Sequence, residues 1–261
     1  RIFEVVSTVL IKDAKPSMGG QDFAALRDLS GLGSISSNGV DNEMEIFKSK
    51  KLMSAVVNNL GLETDVFAPG KFQNTELFQE TSPIIVKVIT EKDKKKYPVT
   101  AINLNISGNK LTLSAEDFKT VETTFNKTIN LPFANIIILK NKNYKEDKKN
   151  PNGNDLQLVI STKENKTNSL QEALRVSLVN KDATVIRLAM NAPVVEKAQK
   201  IINELVTVYN AEAIDDKNSE SKKTAEFIQD RIEQIGKDLG AVETEKEQFK
   251  QSNNITDIAT E

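Results

Sequence analysis

The chain has 261 residues, 38% of them hydrophobic, and a formal net charge of −2, which indicates a globular domain, alone or with an extension, and no overall attraction for nucleic acid. It contains neither Cys nor His, so disulfides, thiolate chemistry, Ser-His-Asp and Cys-His mechanisms and zinc sites built on those residues are excluded. No apolar run reaches the roughly 18 residues that a membrane-spanning helix needs.

The N-terminal part predicts a strand followed by a long loop. Residues 2–11 are rich in Val, Ile and Thr, which is typical of a strand. One face of this strand carries four alternate apolar residues: Phe3, Val5, Val9 and Ile11. Residues 14–40 are rich in Gly and Ser and predict a loop, with one helical turn over residues 22–29.

The next segment predicts one helix that ends at Gly61. Asp41 or Asn42 is the expected N-cap, and Glu45 follows Asn42 by three residues as in a capping box. Four apolar residues then fall at helical spacing: Ile46, Met53, Val57 and Leu60. Gly61 is expected to adopt the left-handed conformation that stops the helix.

Between residues 64 and 162 the hydrophobic period changes to two, which predicts strands. The predicted strands cover residues 84–90, 102–106, 123–129, 135–140 and 156–160. Gly108 and Asn109 predict a hairpin turn into Leu111 and Leu113. We interpret the charged runs at residues 91–96 and 140–149 as solvated loops rather than binding patches.

A short helix is predicted over residues 168–178 and a last strand over residues 183–190, with Ile186, Leu188 and Met190 on one face. This order of elements predicts an α+β fold, in which a mixed or antiparallel sheet domain packs with helices over residues 1–190. Residues 191–261 are predicted to form a helical arm. We expect the strands to form one sheet in which the first strand pairs near the last.

The C-terminal part is dominated by a helical pattern from Pro193 to about residue 251, with Asn191 as the expected N-cap. A proximal stripe of apolar residues steps by three and four: Val194, Ala198, Ile201, Leu205 and Val208. A second set, which we call the distal stripe, has the heptad spacing of a coiled coil: Ile228, Ile232, Ile235, Leu239, Val242 and Phe249. The polar residues 215–223 between them fit either a continuous helix or a break.

A continuous helix would contain about 58 residues and span roughly 87 Å. The preceding domain would have a radius of gyration of only about 16 Å. We therefore expect the helix to protrude and the distal stripe to pack on another helix, from a second subunit or from a returning segment outside these residues. The alternative is two ordinary amphipathic helices joined by a loop.

The sequence contains none of the common motifs for nucleotide or cofactor binding. The sequence contains neither the GxxxxGK[ST] phosphate loop nor a GxGxxG fingerprint. Asp215 and Asp216 lack the Gly and the terminal Glu of a calcium loop, so we interpret them as solvated helix. The sequence therefore predicts no catalytic, cofactor-binding or metal-binding residue here.

Several stretches share features with one family. Residues 42–62 read like an E-I-x-K-S…LGL helix, Pro83 lies in an S-P-I strand entry, and the long helix opens with a P…A…N…Y pattern. The matching positions are Glu45, Ser49, Gly61, Pro83, Pro193, Ala198, Asn203 and Tyr209. Together these stretches resemble the extracytoplasmic domain of the Wzz-type polysaccharide co-polymerases, the chain-length determinants of bacteria.

The resemblance implies a Wzz-like fold on the periplasmic side of the bacterial inner membrane, held there by flanking membrane helices outside these residues. It implies a homo-oligomer that acts with a Wzy-type polymerase and the nascent polysaccharide to set the length of capsular polysaccharide, exopolysaccharide or O-antigen. Residues 216–218 and the Gly-rich early loop are similar to the Bacteroidota branch, in which a cytoplasmic tyrosine kinase is fused. ATP and Mg are then expected only in that kinase domain, and nucleic acid is not an expected partner.

Two alternative functions stay open. One is the external sensor of a tyrosine kinase whose main role is signalling, and a Walker motif after residue 261 would support it. The other is a secretion-type membrane adaptor with a helical hairpin, which requires a returning helix rich in heptads.

Overall fold

The computed structural model describes residues 1–11, 39–71, 73–145, 154–179 and 184–253. Most of the predicted early loop, including the helical turn at residues 22–29, lies outside these ranges, as do residues 146–149 of the second charged run. The chain divides into two compact units, Arg1–Tyr209 and Asn210–Glu261.

Helices and antiparallel strands make up the fold, which confirms the α+β prediction. The helices are α1 (Gly39–Phe47), α2 (Lys50–Leu60), α3 (Lys163–Ala173) and α4 (Val195–Ser252). The strands are β1 (Phe3–Leu10), β2 (Thr64–Ala68), β3 (Thr75–Leu77), β4 (Ile84–Glu91), β5 (Ile102–Ser107), β6 (Lys110–Ala115), β7 (Phe118–Thr124), β8 (Thr128–Asn130), β9 (Ala134–Lys140), β10 (Asp155–Ile160), β11 (Leu174–Leu178) and β12 (Val185–Ala192). Short 3₁₀ turns cover Gln79–Thr81 and Lys94–Lys96.

The strands of the described residues form three sheets, so the prediction of a single sheet is wrong. Their orders are β1-β12-β11, β3-β2-β10-β5-β6-β7 and β4-β9-β8. The expected pairing of the first strand is confirmed, because β1 pairs antiparallel with β12 from Phe3 opposite Ala192 to Leu10 opposite Val185. The first strand is thus built into the sheet that leads into α4.

The six-stranded sheet and the β4-β9-β8 sheet share one hydrophobic core. Alternate residues of facing strands fill it, among them Leu104 of β5 and Ile136 of β9. Gly108 has φ +63° and forms the predicted hairpin turn between β5 and β6. The predicted strand over residues 123–129 is wrong: β7 ends at Thr124, and Asn126, with φ +63°, turns the chain toward β8. Asn tolerates this left-handed conformation better than most residues.

A second core lies between the β1-β12-β11 sheet and the helices. The predicted inner face of β12 is confirmed, because Ile186, Leu188 and Met190 are all buried there. Val5, Val9 and Ile11 pack against the same core, as predicted, whereas Phe3 is 44% exposed. The fold of the first unit therefore contains two hydrophobic cores.

The predicted helix over residues 42–60 is in fact two helices. Ser49 has extended backbone angles and separates them, and its hydroxyl accepts a hydrogen bond from the N–H of Leu52 (3.3 Å) to cap α2. Asp41, Asn42 and Glu45 lie inside α1, so the predicted N-cap and capping box are wrong.

The predicted stop of this helix is confirmed. Gly61 has φ +62°, and its N–H donates to the carbonyl of Asn58 (3.3 Å). The N–H of Leu62 donates to the carbonyl of Val57 (3.0 Å). Two carbonyls at the end of α2 are thereby satisfied within the turn.

The helix predicted over residues 168–178 has different bounds. α3 begins at Lys163, after Thr162, whose hydroxyl accepts a hydrogen bond from the N–H of Asn165 (3.1 Å). It ends at Ala173, and residues 174–178 form β11 beside β12. Pairing with β12 and the burial of Leu174 outweigh the local helical pattern.

α4 begins two residues later than predicted and is continuous. Asn191 lies in β12, where its side chain accepts a hydrogen bond from Arg175 (3.1 Å), so its prediction as an N-cap is wrong. The carbonyl of Val194 accepts the first helical bond, from the N–H of Ala198 (3.2 Å). The helix runs without a break through residues 215–223, which decides between the two alternatives for that span.

Candidate helix-packing surface

The distal stripe is an exposed row of large apolar side chains on α4. Each of its six members is between 49% and 62% exposed: Ile228, Ile232, Ile235, Leu239, Val242 and Phe249. Ile, Leu, Val and Phe are among the residue types most often buried, and a contiguous exposed set of them marks an interaction surface.

The polar side of this part of α4 supports the helix only weakly. Gln229 donates to Glu233 (3.2 Å) and Gln234 donates to Asp238 (3.0 Å), both one helical turn apart. Such pairs contribute about 0.2–0.5 kcal/mol each. Helices in proteins gain most of their stability from packing an apolar face, and the distal stripe is the apolar face of this part of α4.

Two glycines accompany the distal stripe. Gly236 and Gly240 lie one turn apart, and a Cβ added to either meets no atom of the described chain within 4 Å. Each glycine costs about 1 kcal/mol relative to Ala in a helix interior. Packing within the described part of the chain gives no reason for glycine at either position.

The proximal stripe is buried in the second core, in contrast to the distal stripe. Ala198 and Leu205 are fully buried, and Tyr209 stacks on Phe47 with ring centroids 4.3 Å apart. The Tyr209 hydroxyl donates to the carboxylate of Glu43 (2.7 Å). Burial raises the pKa of Tyr209 above its ordinary value, and the Glu43 carboxylate raises it further, so the hydroxyl remains a donor.

The other positions that carry the family resemblance serve the local structure of their own elements. Ser49 caps α2 and Gly61 ends it, as described above. Glu45 forms an exposed ion pair with Lys48 (3.1 Å). The carbonyl of Pro83 accepts a hydrogen bond from the N–H of Asn141 (2.9 Å). Two further positions are exposed on the surface: Pro193 and Asn203.

A cluster of four charged side chains was not predicted from the sequence. Asp65 of β2 pairs with Lys166 of α3 (2.6 Å) and with Lys197 of α4 (2.5 Å), and Lys197 also pairs with Glu76 of β3. The four side chains are only 11–16% exposed. They are up to 132 residues apart in sequence, and each alone resembles an ordinary surface charge, so no local pattern could have identified them.

The charges of this cluster stabilise one another. Burial alone would raise the pKa of Asp65, but the ammonium groups of Lys197 and Lys166 outweigh it and hold that pKa below its ordinary value. Burial would likewise lower the pKa of Lys197, but Asp65 and Glu76 raise it. Both shifts favour the charged forms of Asp65 and Lys197, and the ion pairs of the cluster link β2 and β3 to α3 and the first turn of α4.

The described residues show neither a metal-binding cluster nor a membrane-spanning helix. In the described part of the chain, no three Asp or Glu side chains gather in a way that could hold a metal ion. None of the helices within those ranges combines the length and apolarity that a membrane crossing requires.

The sequence matches no protein-family model and no curated protein. The Wzz-type resemblance therefore remains a prediction that rests on the motif residues themselves.

Proposed function

We propose that this chain is the extracytoplasmic domain of a Wzz-like polysaccharide co-polymerase on the periplasmic side of the bacterial inner membrane. In this proposal it assembles with copies of itself and regulates the length and export of capsular polysaccharide, exopolysaccharide or O-antigen. The observation that carries the proposal is the exposed distal stripe on a continuous helix of 58 residues.

The distal stripe favours a second copy of this chain as its partner. Its heptad spacing suits two helices that wind around each other with their apolar rows in contact. The charged residues beside the stripe are of both signs: Arg231, Asp238, Glu243, Glu245 and Lys250. A surface with charges of both signs can pair with a copy of itself, whereas a surface of one sign would repel its copy.

The proposed role is structural rather than catalytic. The motif positions described above stabilise the fold: Ser49 caps α2, Gly61 ends it, and Tyr209 packs α4 against α1. The partners would be further copies of the chain, a Wzy-type polymerase and the nascent polysaccharide. A fused cytoplasmic tyrosine kinase would bind ATP and Mg outside these residues.

The proposal is tested by changing the distal stripe in the complete gene. Ile235→Ser with Leu239→Ser should shift the length distribution of the surface polysaccharide on a gel while the protein accumulates to its normal level. The matched control is Asp230→Ser with Lys237→Ser, which places the same two serines on the polar side of α4 and leaves the net charge unchanged.

The control should leave the length distribution as in the parent strain. An unchanged distribution in the stripe variant, with normal protein levels, would refute regulation through this surface. Loss of protein or small-molecule export with unchanged polysaccharide would favour the membrane-adaptor alternative.

A further inference from the structure

A cavity of about 480 Å³ lies within the Arg1–Tyr209 unit. It is bounded by the C-terminal end of α2, by β2, by residues 77–80, by the start of β4 and by the first turns of α4. Its volume falls in the range of about 300–1,000 Å³ that is typical of small-molecule sites.

One part of the cavity wall is apolar. It includes Leu62, Val66, Leu77, Phe78 and Ile85, and of these Ile85 is 41% exposed. A wall of this kind gains free energy when it buries the apolar part of a ligand.

The polar part of the wall holds hydrogen-bonding groups that the described chain leaves unused. Lys197 lines the cavity, and its ammonium group, which has three donors, bonds only Asp65 and Glu76. Thr64 also lines the cavity, and its buried hydroxyl has no hydrogen-bond partner among the described residues.

The charged residues that line the cavity are Asp65, Glu80, Lys197 and Lys200, and their formal charges sum to zero. Asp65 and Lys197 pair with each other, and Glu80 pairs with Lys145 (2.6 Å). Lys200 also lines the cavity, three residues after Lys197 and therefore on the same face of α4. No carboxylate in the described ranges pairs with Lys200.

The backbone beside the cavity is held in an uncommon conformation. Gln79 has φ +49°, in the left-handed region that a residue with a Cβ rarely adopts. The side-chain amide of Asn141 donates to the carbonyls of Gln79 (2.6 Å) and Ser82 (2.8 Å) and fixes this turn. Such strain is concentrated at ligand-binding sites, because it holds the site in its bound shape.

We infer that this cavity binds a small organic carboxylate with an apolar body. The carboxylate would pair with Lys200 and accept a hydrogen bond from Lys197, while the apolar body would lie against Leu77 and Ile85. A dianion such as phosphate fits less well, because carboxylates also line the cavity and would repel its second charge. The site uses none of the distal stripe, so the inference does not depend on the proposed function.

The test is a titration of the 261-residue chain with hexanoate, followed by the backbone amide resonances in NMR spectra. Hexanoate should shift the resonances of residues 62–66, 77–85 and 197–200 in a saturable manner. Hexanamide, which has the same shape without the charge, and inorganic phosphate should bind at least about tenfold more weakly, the change expected from one charge-assisted hydrogen bond.

Two variants locate the carboxylate. Lys200→Gln should weaken hexanoate binding at least about tenfold, whereas the matched control Lys222→Gln, an exposed lysine farther along α4, should leave it unchanged. Ile85→Glu places a like charge on the exposed edge of the apolar wall and should abolish binding. Circular dichroism of each variant should match that of the parent chain.

The inference would be overturned if hexanoate and hexanamide bound with equal affinity, or if Lys200→Gln and Lys222→Gln changed the affinity for hexanoate equally. It would also be overturned if hexanoate shifted only the amide resonances of residues 228–249. The last result would show that hexanoate binds the distal stripe rather than the cavity. Absence of any saturable shift at the cavity would overturn it as well.

Discussion

Changing Ile235 and Leu239 to serine should weaken self-association of the chain. Full burial of an Ile or Leu side chain contributes about 1.5–3 kcal/mol, and these two are 54% and 57% exposed, so about half of that is available to an interface. A pair of copies contributes four such side chains, or about 3–6 kcal/mol. The dissociation constant should therefore rise by roughly a hundredfold to ten-thousandfold.

Sedimentation velocity over a concentration series measures this change, and circular dichroism reports on the fold. The parent chain and the Asp230→Ser, Lys237→Ser control should associate alike. The control carries the same loss of helix propensity as the stripe variant, so any difference between them is due to the apolar side chains. The β-sheet signal should be the same in all three proteins.

Two results would refute this reasoning. Unchanged association of the stripe variant would show that the distal stripe is not the contact between copies. Loss of the β-sheet signal in the stripe variant alone would show that Ile235 and Leu239 stabilise the sheet-bearing unit instead.

Three further predictions concern stability, measured as the free energy of unfolding in urea. Asp65→Ala should cost about 3–5 kcal/mol, because it leaves the largely buried Lys166 without its partner and Lys197 with Glu76 alone. Glu122→Ala in the exposed pair with Lys110 should cost less than about 1 kcal/mol. Folding lowers the pKa of Asp65, so the ion pairs of Asp65 stabilise the fold fully above its unfolded pKa of about 3.9, and this stabilisation is lost as the pH falls through the folded pKa. Asp65→Asn should therefore reduce the loss of unfolding free energy at acid pH. An identical dependence of the unfolding free energy on pH in the variant and the parent would contradict this. Gly61→Ala should destabilise the fold by about 1–2 kcal/mol because Gly61 has φ +62°, whereas Gly236→Ala, which meets no atom within 4 Å, should not destabilise the monomer.

Local chemistry was enough to predict the elements whose signals lie within a few residues. Gly61 ends a helix and Gly108 forms a hairpin turn, as predicted, because glycine has no Cβ and adopts a left-handed φ at little cost. The sequence also predicted β5, β10 and β12 from alternating apolar residues, because side chains of a strand alternate between its two faces. It predicted α4 from apolar residues three and four apart, because such residues lie on one face of a helix.

Contacts between distant residues decided the rest. Residues 174–178 have a helical pattern but form a strand that pairs with β12. Asn191 has the side chain of a helix cap but lies within β12, opposite Glu4. In both cases the pairing of strands in the sheet outweighs the local preference of the sequence. The division of the strands among three sheets and two cores depends on which apolar faces meet. The cluster of Asp65 with its lysines and the cavity beside it are likewise invisible in the sequence, because ion pairing and enclosed volume are properties of groups that only folding brings together.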